Sequence, residues 1–436
     1  MTRREPAATH GGLSAGAGDP AGLDSLGASG RFRSASLATV RDLAARVAEL
    51  AADPEMARTC QRWRDTYMLR PADRVPVWLR LDAMGQRELL PEAALQCDEP
   101  FLRAIERQLR WTLRQHEFGD DTIVLPYWKV PAALHFDGEH LWGVPVKRRD
   151  PGETTGAWAY DPPIHRADDL NRLRIPRWRY DQAETDRRLN AYADVLGDAL
   201  PARLSAVPPI FPGIARNATD LIGLDGLLLN MAAEPDFVHR LMAFQRDSVL
   251  QCLDDVEAMG ILTDNCDEPI HFSESLKASA PDVSLRLADL WLRTESQQFQ
   301  GVSRSMWREF CLAYQKPIMA RFRYVSYGCC EDLTDRIDDV LAVPNMRIFV
   351  SSPWTDLATT ATACGDAYAV IWRQKASDVV YADDLADQRR HLEWGLTLTR
   401  GGHRAIVLQE VATCNGNPGR LHQWVALARA LSESLS

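Results

Sequence analysis

The feature that most constrains this chain is an apolar, β-rich run that recurs through its C-terminal half with helical or turn material between the copies. The runs are Ser284 to Leu292, Phe322 to Ser326, Met346 to Val350, Tyr368 to Trp372 and Arg404 to Leu408. Strand alternating with helix at intervals of roughly 25 to 40 residues predicts βα units and a parallel sheet. Upstream, Val75 to Leu81, Thr122 to Trp128 and Ala202 to Ile210 read as further strands. About eight strands in such a chain fit a closed (β/α)8 TIM-like barrel better than an open doubly wound sheet. No Gly-rich phosphate loop follows any of the strands, which removes the main argument for the open alternative.

Residues 1 to about 34 are rich in Gly, Ala and Ser and have little bulk to bury, so they read as a disordered tail. Residues 35 to 436 form the barrel unit with an N-terminal helical extension. Apolar residues Leu37, Val40, Leu43, Val47 and Leu50 recur at helical spacing from Ser36 to Ala51, and a second periodic stretch runs from Glu99 to His116. A long helix is expected from about Pro235 to Met259. The segment from about 131 to 180 is aperiodic and dense in Pro, Gly, Trp and Asp, the mark of a binding loop or active-site cover.

Charge narrows the partners. Fifty Lys and Arg stand against sixty Asp and Glu, a net charge of -10, which disfavours a nucleic acid. The densest arginines, Arg172, Arg174, Arg177 and Arg179, are followed at once by Asp181, Glu184 and Asp186 and read as a solvated loop. With no run near the ~18 apolar residues of a membrane span and no signal core, a cytoplasmic protein is expected. The nine cysteines are odd in number and scattered, so they read as free thiols.

In a parallel barrel the reactive groups sit at the C-terminal strand ends. There the sequence offers Thr294-Glu295-Ser296-Gln297, Tyr327-Gly328-Cys329-Cys330-Glu331, Ser351-Ser352-Pro353-Trp354, Arg373-Gln374-Lys375, and Gln409-Glu410 with Cys414 just beyond. Thiols at two strand ends with a carboxylate nearby are what zinc selects, and a three-ligand site with one open position can activate a substrate atom. The alternative is that these cysteines are small buried hydrophobes. Glu295 and Gln297 alternate toward one side, which suits Glu295 for general-base or ligand-orienting work. Arg80 is a candidate carboxylate partner through its planar fork. His271 follows a polar loop and is a candidate cavity-lining residue, and Trp372, Trp354, Trp128 and Trp142 are candidate apolar walls. His135 and His140, with Asp137 and Glu139 between them, fit a turn better than a ligand set.

The strand order, the Tyr-Gly-Cys-Cys-Glu turn, Cys414 and the segment Ile371-Trp372-Arg373 together resemble the uroporphyrinogen decarboxylase superfamily. They look most like its bacterial branch related to zinc-dependent corrinoid methyltransferases. The resemblance runs from about residue 70 to the C-terminus and is best from Glu295 onward. It implies a zinc held by a His-x-Cys turn after one strand and by a Cys after the last, activating a thiol that accepts a methyl group. On that match Cys329 and Cys414 are ligands, Tyr327 stands where the family has His, and Cys330 or Glu331 would complete the set. Glu295, Tyr327 and Glu331 are then the candidate catalytic groups. Arg80, Gln297, His271, Trp372 and Arg373 are the candidate substrate contacts.

The partners implied are a small molecule, a corrinoid protein as methyl source, and, left open, a second copy of the chain. Two other functions stay open. The run Pro76-Val77-Trp78-Leu79-Arg80, then Gln86-Arg87, loosely echoes the decarboxylase's Arg-rich signature, which would make the chain a decarboxylase or lyase for a small carboxylated substrate. The last is a non-catalytic binding barrel.

Overall fold

A computed structural model describes residues 32–149, 159–277 and 284–435. Most of the expected tail, residues 1–31, lies outside the described residues, and the first helix, Ser34–Ala51, follows at once. The second, Pro54–Tyr67, starts where a preceding Asp53 carboxylate accepts the Glu55 N–H and Pro54 supplies a preset φ. The helices Ser34–Ala51, Pro100–His116 and Gln182–Leu196 share an apolar cluster that includes Val40, Phe101, Ile105 and Val195.

Eight strands carry the parallel framework: β1 (Val77–Leu81), β2 (Trp128–Pro131), β3 (Ala202–Ser205), β4 (Trp291–Thr294), β5 (Tyr324–Tyr327), β6 (Met346–Ser351), β7 (Ala369–Gln374) and β8 (His403–Val411). Six form one curled parallel sheet in the order β1-β8-β7-β6-β5-β4, and β2 pairs with β3 in a separate parallel pair. The single closed eight-stranded ladder expected from the sequence is thus not what the described residues pair into.

Side chains stand at the two seams where strand ladders were expected. At the outer edge of β1, Val77 N–H donates to the Asp121 carboxylate at 2.7 Å and Leu79 N–H to Asp120 at 2.8 Å. Between β3 and β4, Ala206 N–H donates to Thr263 Oγ1 at 2.8 Å, and Trp291 N–H donates to Asn265 Oδ1 at 3.0 Å. Asp121 also takes Arg62 and both terminal nitrogens of Arg74 at 2.7 Å, so of the two carboxylates that close the first seam it is the one held by paired charge.

Strand limits differ from expectation for local reasons. Pro126 removes a ladder donor from the Thr122 to Trp128 run, and pairing starts only at Trp128. Before β4, residues Leu287–Asp289 form a 3₁₀ turn that Asp289 caps by accepting Arg286 N–H at 2.9 Å. The segment from 131 to 180 is less irregular than its composition suggests. Leu134–Phe136 pairs with Trp178–Tyr180, and Lys147–Arg149 with Ala159–Asp161, both antiparallel. The long helix is Pro235–Ala258.

Alternation along each strand separates two cores. Trp78, Trp291, Ile348, Val350, Ile371 and Val407 face the inside of the curl, where Trp63, Tyr67, Ile270 and Phe272 fill one end. Leu79, Leu292, Val325, Tyr327, Phe349, Val370 and Trp372 face the outer helices. The next inward positions after Trp78, Trp291 and Ile371 are Arg80, Arg293 and Arg373, so three arginines converge beyond the apolar plug. Among the described residues no helix is long and apolar enough to cross a membrane.

Candidate functional site

The turn after β5 builds the centre of the site. Gly328 has φ 116°, and a Cβ there would meet Val350 O at 2.8 Å and Leu333 Cδ1 at 3.1 Å, so only glycine fits. Its N–H donates to Thr294 O at 3.0 Å, which ends the strand and turns the chain. Cys329 and Cys330 follow, with their sulfurs 3.5 Å apart. Across the turn, Cys330 Sγ lies 2.6 Å from Glu410 Oε1. Glu410 reaches in because the chain bulges near the end of β8: its φ is 64°, and the pairing with β1 shifts register between Leu79 and Leu81.

Cys329, Cys330 and Glu410 each offer a ligand atom within 4.8 Å of the others, and they are the group of this kind found among the described residues. Arg373, buried on β7, is shared by all three. It donates to Cys329 O, lies 3.4 Å from Cys330 Sγ, and pairs with Glu410 at 2.9 Å. Arg293 Nη2 and Arg373 Nη1 each stand 3.8 Å from Cys329 Sγ. The hydrogen bond from Cys330, with the charges of Arg293 and Arg373, outweighs burial and pulls the Cys329 thiol down to about 6. Cys330 moves the opposite way, held protonated by the neighbouring thiolate, by burial and by Glu410.

Glu295 lies buried behind this turn. Its carboxyl is pushed up to about 8, first by burial and then by the charges of Glu331 and Cys329, against a 2.5 Å hydrogen bond from Gln297 N–H. Glu331 does not face the mouth. It turns back into the backbone, where Ser296 N–H reaches Oε1 at 2.8 Å and Cys329 N–H reaches Oε2 at 2.9 Å. That carboxylate holds the turn's shape and is not part of the group that the two sulfurs form with Glu410.

The remaining expected residues divide clearly. Arg80 is on the inner face, where burial and then the charge of Arg293 depress its guanidinium to about 10. His271 also lines the inside, its ring 6.0 Å from that of Trp291, and burial keeps it neutral with a pKa near 4. Gln297 is exposed on a 3₁₀ turn, Gln297–Phe299, and contributes its backbone N–H to Glu295.

Three are elsewhere. Cys414 is not with the other two cysteines: its Sγ donates to Glu88 at 2.7 Å, a partner 326 residues away, and burial followed by that carboxylate raises it to about 11. Tyr327 faces the outer helices, its hydroxyl donating to Gln315 at 2.8 Å, because it shares a face with Val325. Trp372 likewise points outward against Gly395, where an added Cβ would lie 2.0 Å from the indole.

Sequence reading placed Glu410 at the last strand end without giving it a role, and it did not single out Arg293 or the inner Lys129, whose ammonium holds Asp267 and Glu268 at 2.7 Å each. Arg293 had a usable signal, since it alternates with the apolar Trp291 one position before the strand end.

No protein-family model and no curated protein sequence matches the chain. Among solved structures, a methyltransferase from Methanosarcina mazei is similar with a TM-score of 0.46 and 11% identical residues, covering 85% of this chain and 98% of that one.

Proposed function

We propose that this chain is an enzyme that binds zinc through Cys329, Cys330 and Glu410 and catalyses methyl transfer at the metal's open side. The single observation that carries the reading is the convergence of those three donors within 4.8 Å at the C-terminal ends of the strands. Two thiolates and a carboxylate are donors that zinc accepts in a three-ligand catalytic site. The charges also fit. Three anionic donors against a divalent ion leave one negative charge, and the buried Arg373 cancels it. When bound, zinc supplies a Lewis acid that keeps a substrate thiol or similar atom deprotonated at neutral pH.

The chain's own groups have separable tasks in this reading. Arg373 orients Glu410 and favours the thiolate form of both cysteines. The carboxyl of Glu295, protonated up to about pH 8, is a proton source one turn away. Gly328 and Glu331 fix the turn that aims Cys329. The proposal takes the fold as an eight-stranded barrel of the uroporphyrinogen decarboxylase superfamily whose two seams are bridged by side chains. A methylated corrinoid protein or a small methylated compound is the proposed methyl source.

The test is elemental analysis of protein made without an affinity tag. About one zinc per chain is expected, and well below about half an equivalent after zinc-supplemented growth would overturn the reading.

A further inference from the structure

Cys329 and Cys330 are half-buried, whereas six of the chain's nine cysteines, Cys414 among them, are buried. Adjacent side chains of an extended strand point to opposite sides, yet the left-handed turn at Gly328 breaks that geometry and the two sulfurs stand 3.5 Å apart. Arg293 Nη2 and Arg373 Nη1 are each 3.8 Å from Cys329 Sγ, and Cys330 donates its S–H to the Glu410 carboxylate at 2.6 Å. One sulfur thus sits among cations and its neighbour beside a base, the arrangement that oxidation of a dithiol needs.

We infer that this pair is a redox modification site, at which a hydroperoxide such as hydrogen peroxide closes a reversible disulfide between Cys329 and Cys330. The Cys329 sulfur, as thiolate, attacks a peroxide oxygen; an S–O bond forms, the O–O bond breaks, and the departing hydroxide takes a solvent proton. The Cys330 sulfur then attacks the sulfenic acid at Cys329. The S–S bond forms, the S–O bond breaks, and the second hydroxide leaves with the proton that Cys330 passes through Glu410. Two electrons move from the sulfur pair to the peroxide, which ends as two waters. Neighbouring Cα atoms stand about 3.8 Å apart across a trans peptide, short of the ~4.4 Å at which ordinary disulfides begin. Such a bond is strained and easily reduced, which suits a reversible mark and not a structural staple. This oxidation goes beyond methyl transfer and needs no bound metal, and it is slowed whenever the two sulfurs hold zinc.

The test is peptide mass mapping of the full-length protein, as purified and after a chelator, exposed to hydrogen peroxide and then alkylated. The peptide spanning Cys329 and Cys330 is expected to lose two hydrogens and both alkylation sites, ahead of the half-buried Cys60 and the buried cysteines, and to regain them with dithiothreitol. Cys330→Ser should stop at a Cys329 sulfenic acid that dimedone traps, and Cys329→Ser should slow oxidation at Cys330 about tenfold or more. The parent's mass map needs no variant, so it decides the outcome if either substitution unfolds the chain. Sulfinic acid at Cys329 with Cys330 still alkylated, a disulfide between chains, or earlier oxidation of Cys60 overturns the inference. The metal reading fails separately: the disulfide forming in a chain that never holds zinc keeps this inference and sinks that one, and a zinc-bearing chain that yields sulfinic acid without the disulfide does the reverse.

Discussion

Two cysteine–glutamate pairs sit at the strand ends, and their surroundings differ. Cys330 with Glu410 and Cys414 with Glu88 have nearly the same contact, 2.6 and 2.7 Å. Around the first stand a second thiol and two arginines. Around the second are backbone N–H groups of Cys414 and Gly416, all spent on Glu88. The carboxylate next to a thiol therefore does not activate it, since an anion alone disfavours the thiolate. What separates Cys329, drawn down to about 6, from Cys414, pushed up to about 11, is first the hydrogen bond from Cys330 and then the cationic charge of Arg293 and Arg373 within reach of sulfur.

The sharpest way to break this contrast is zinc competition with a chromophoric chelator. Cys329→Ser and Cys330→Ser should each lower affinity by more than about 100-fold, and Glu410→Gln by less, whereas Cys414→Ser and Glu88→Gln leave it unchanged. Loss of zinc in Cys414→Ser would mean that the two pairs act as one site.

Alkylation of the metal-free protein gives the next largest effect. Iodoacetamide should label Cys329 with a half-maximal rate near pH 6, long before Cys414, which titrates near 11. Arg373→Met should move the Cys329 midpoint up by about one pH unit or more, as expected for removal of a close opposite charge. An unmoved midpoint would take the arginines out of the account.

Glu295 gives a smaller and differently signed effect. Its folded value near 8 lies above the ordinary 4.5, so the native state keeps a proton that the unfolded chain releases. Stability is then full below about 4.5 and declines as pH rises toward 8. In melting curves across that window, Glu295→Gln should flatten the decline, and a parent curve without the decline would contradict the burial of an uncharged carboxyl.

The smallest effect belongs to Glu88, whose carboxylate is held down at about 2 by hydrogen bonds from Cys414, Thr413 and Gly416 despite partial burial. Its contribution is present above the ordinary 4.5 and is lost as pH falls toward 2. Glu88→Gln should lose that acid dependence and leave zinc and alkylation unchanged.

How much of this was legible follows from which interactions are local. The strands from β5 to β8 start and stop within a few residues of their apolar runs, because a buried parallel strand announces itself in composition. The Cys329-Cys330 turn was legible for the same reason, lying directly after such a run. Tyr327 and Trp372 were read on the wrong face because a strand's two faces differ by one residue, and only the packing of Val325 and Val370 fixes which is which. Glu410 was legible only by its place at the last strand end, since the direction of its side chain depends on a left-handed backbone turn. Cys414 was misplaced because its partner, Glu88, comes from the opposite end of the chain. The seams were beyond reach as well, being made by Asp120, Asp121, Thr263 and Asn265 side chains rather than by periodic backbone.

The first seam has a dynamic consequence. Two alternate amides on the outer edge of β1, Val77 and Leu79, donate to carboxylates, while the same strand's other edge is held by the β8 backbone ladder. Deuterium uptake at Leu79 should therefore report on Asp120, whose acid is lifted to about 7 by burial, and Val77 on Asp121, which Arg62 and Arg74 grip. Two neighbouring amides on one strand thus time two different events: the loosening of a proton-sensitive latch and the release of a clamp that opens only when the wall itself comes apart.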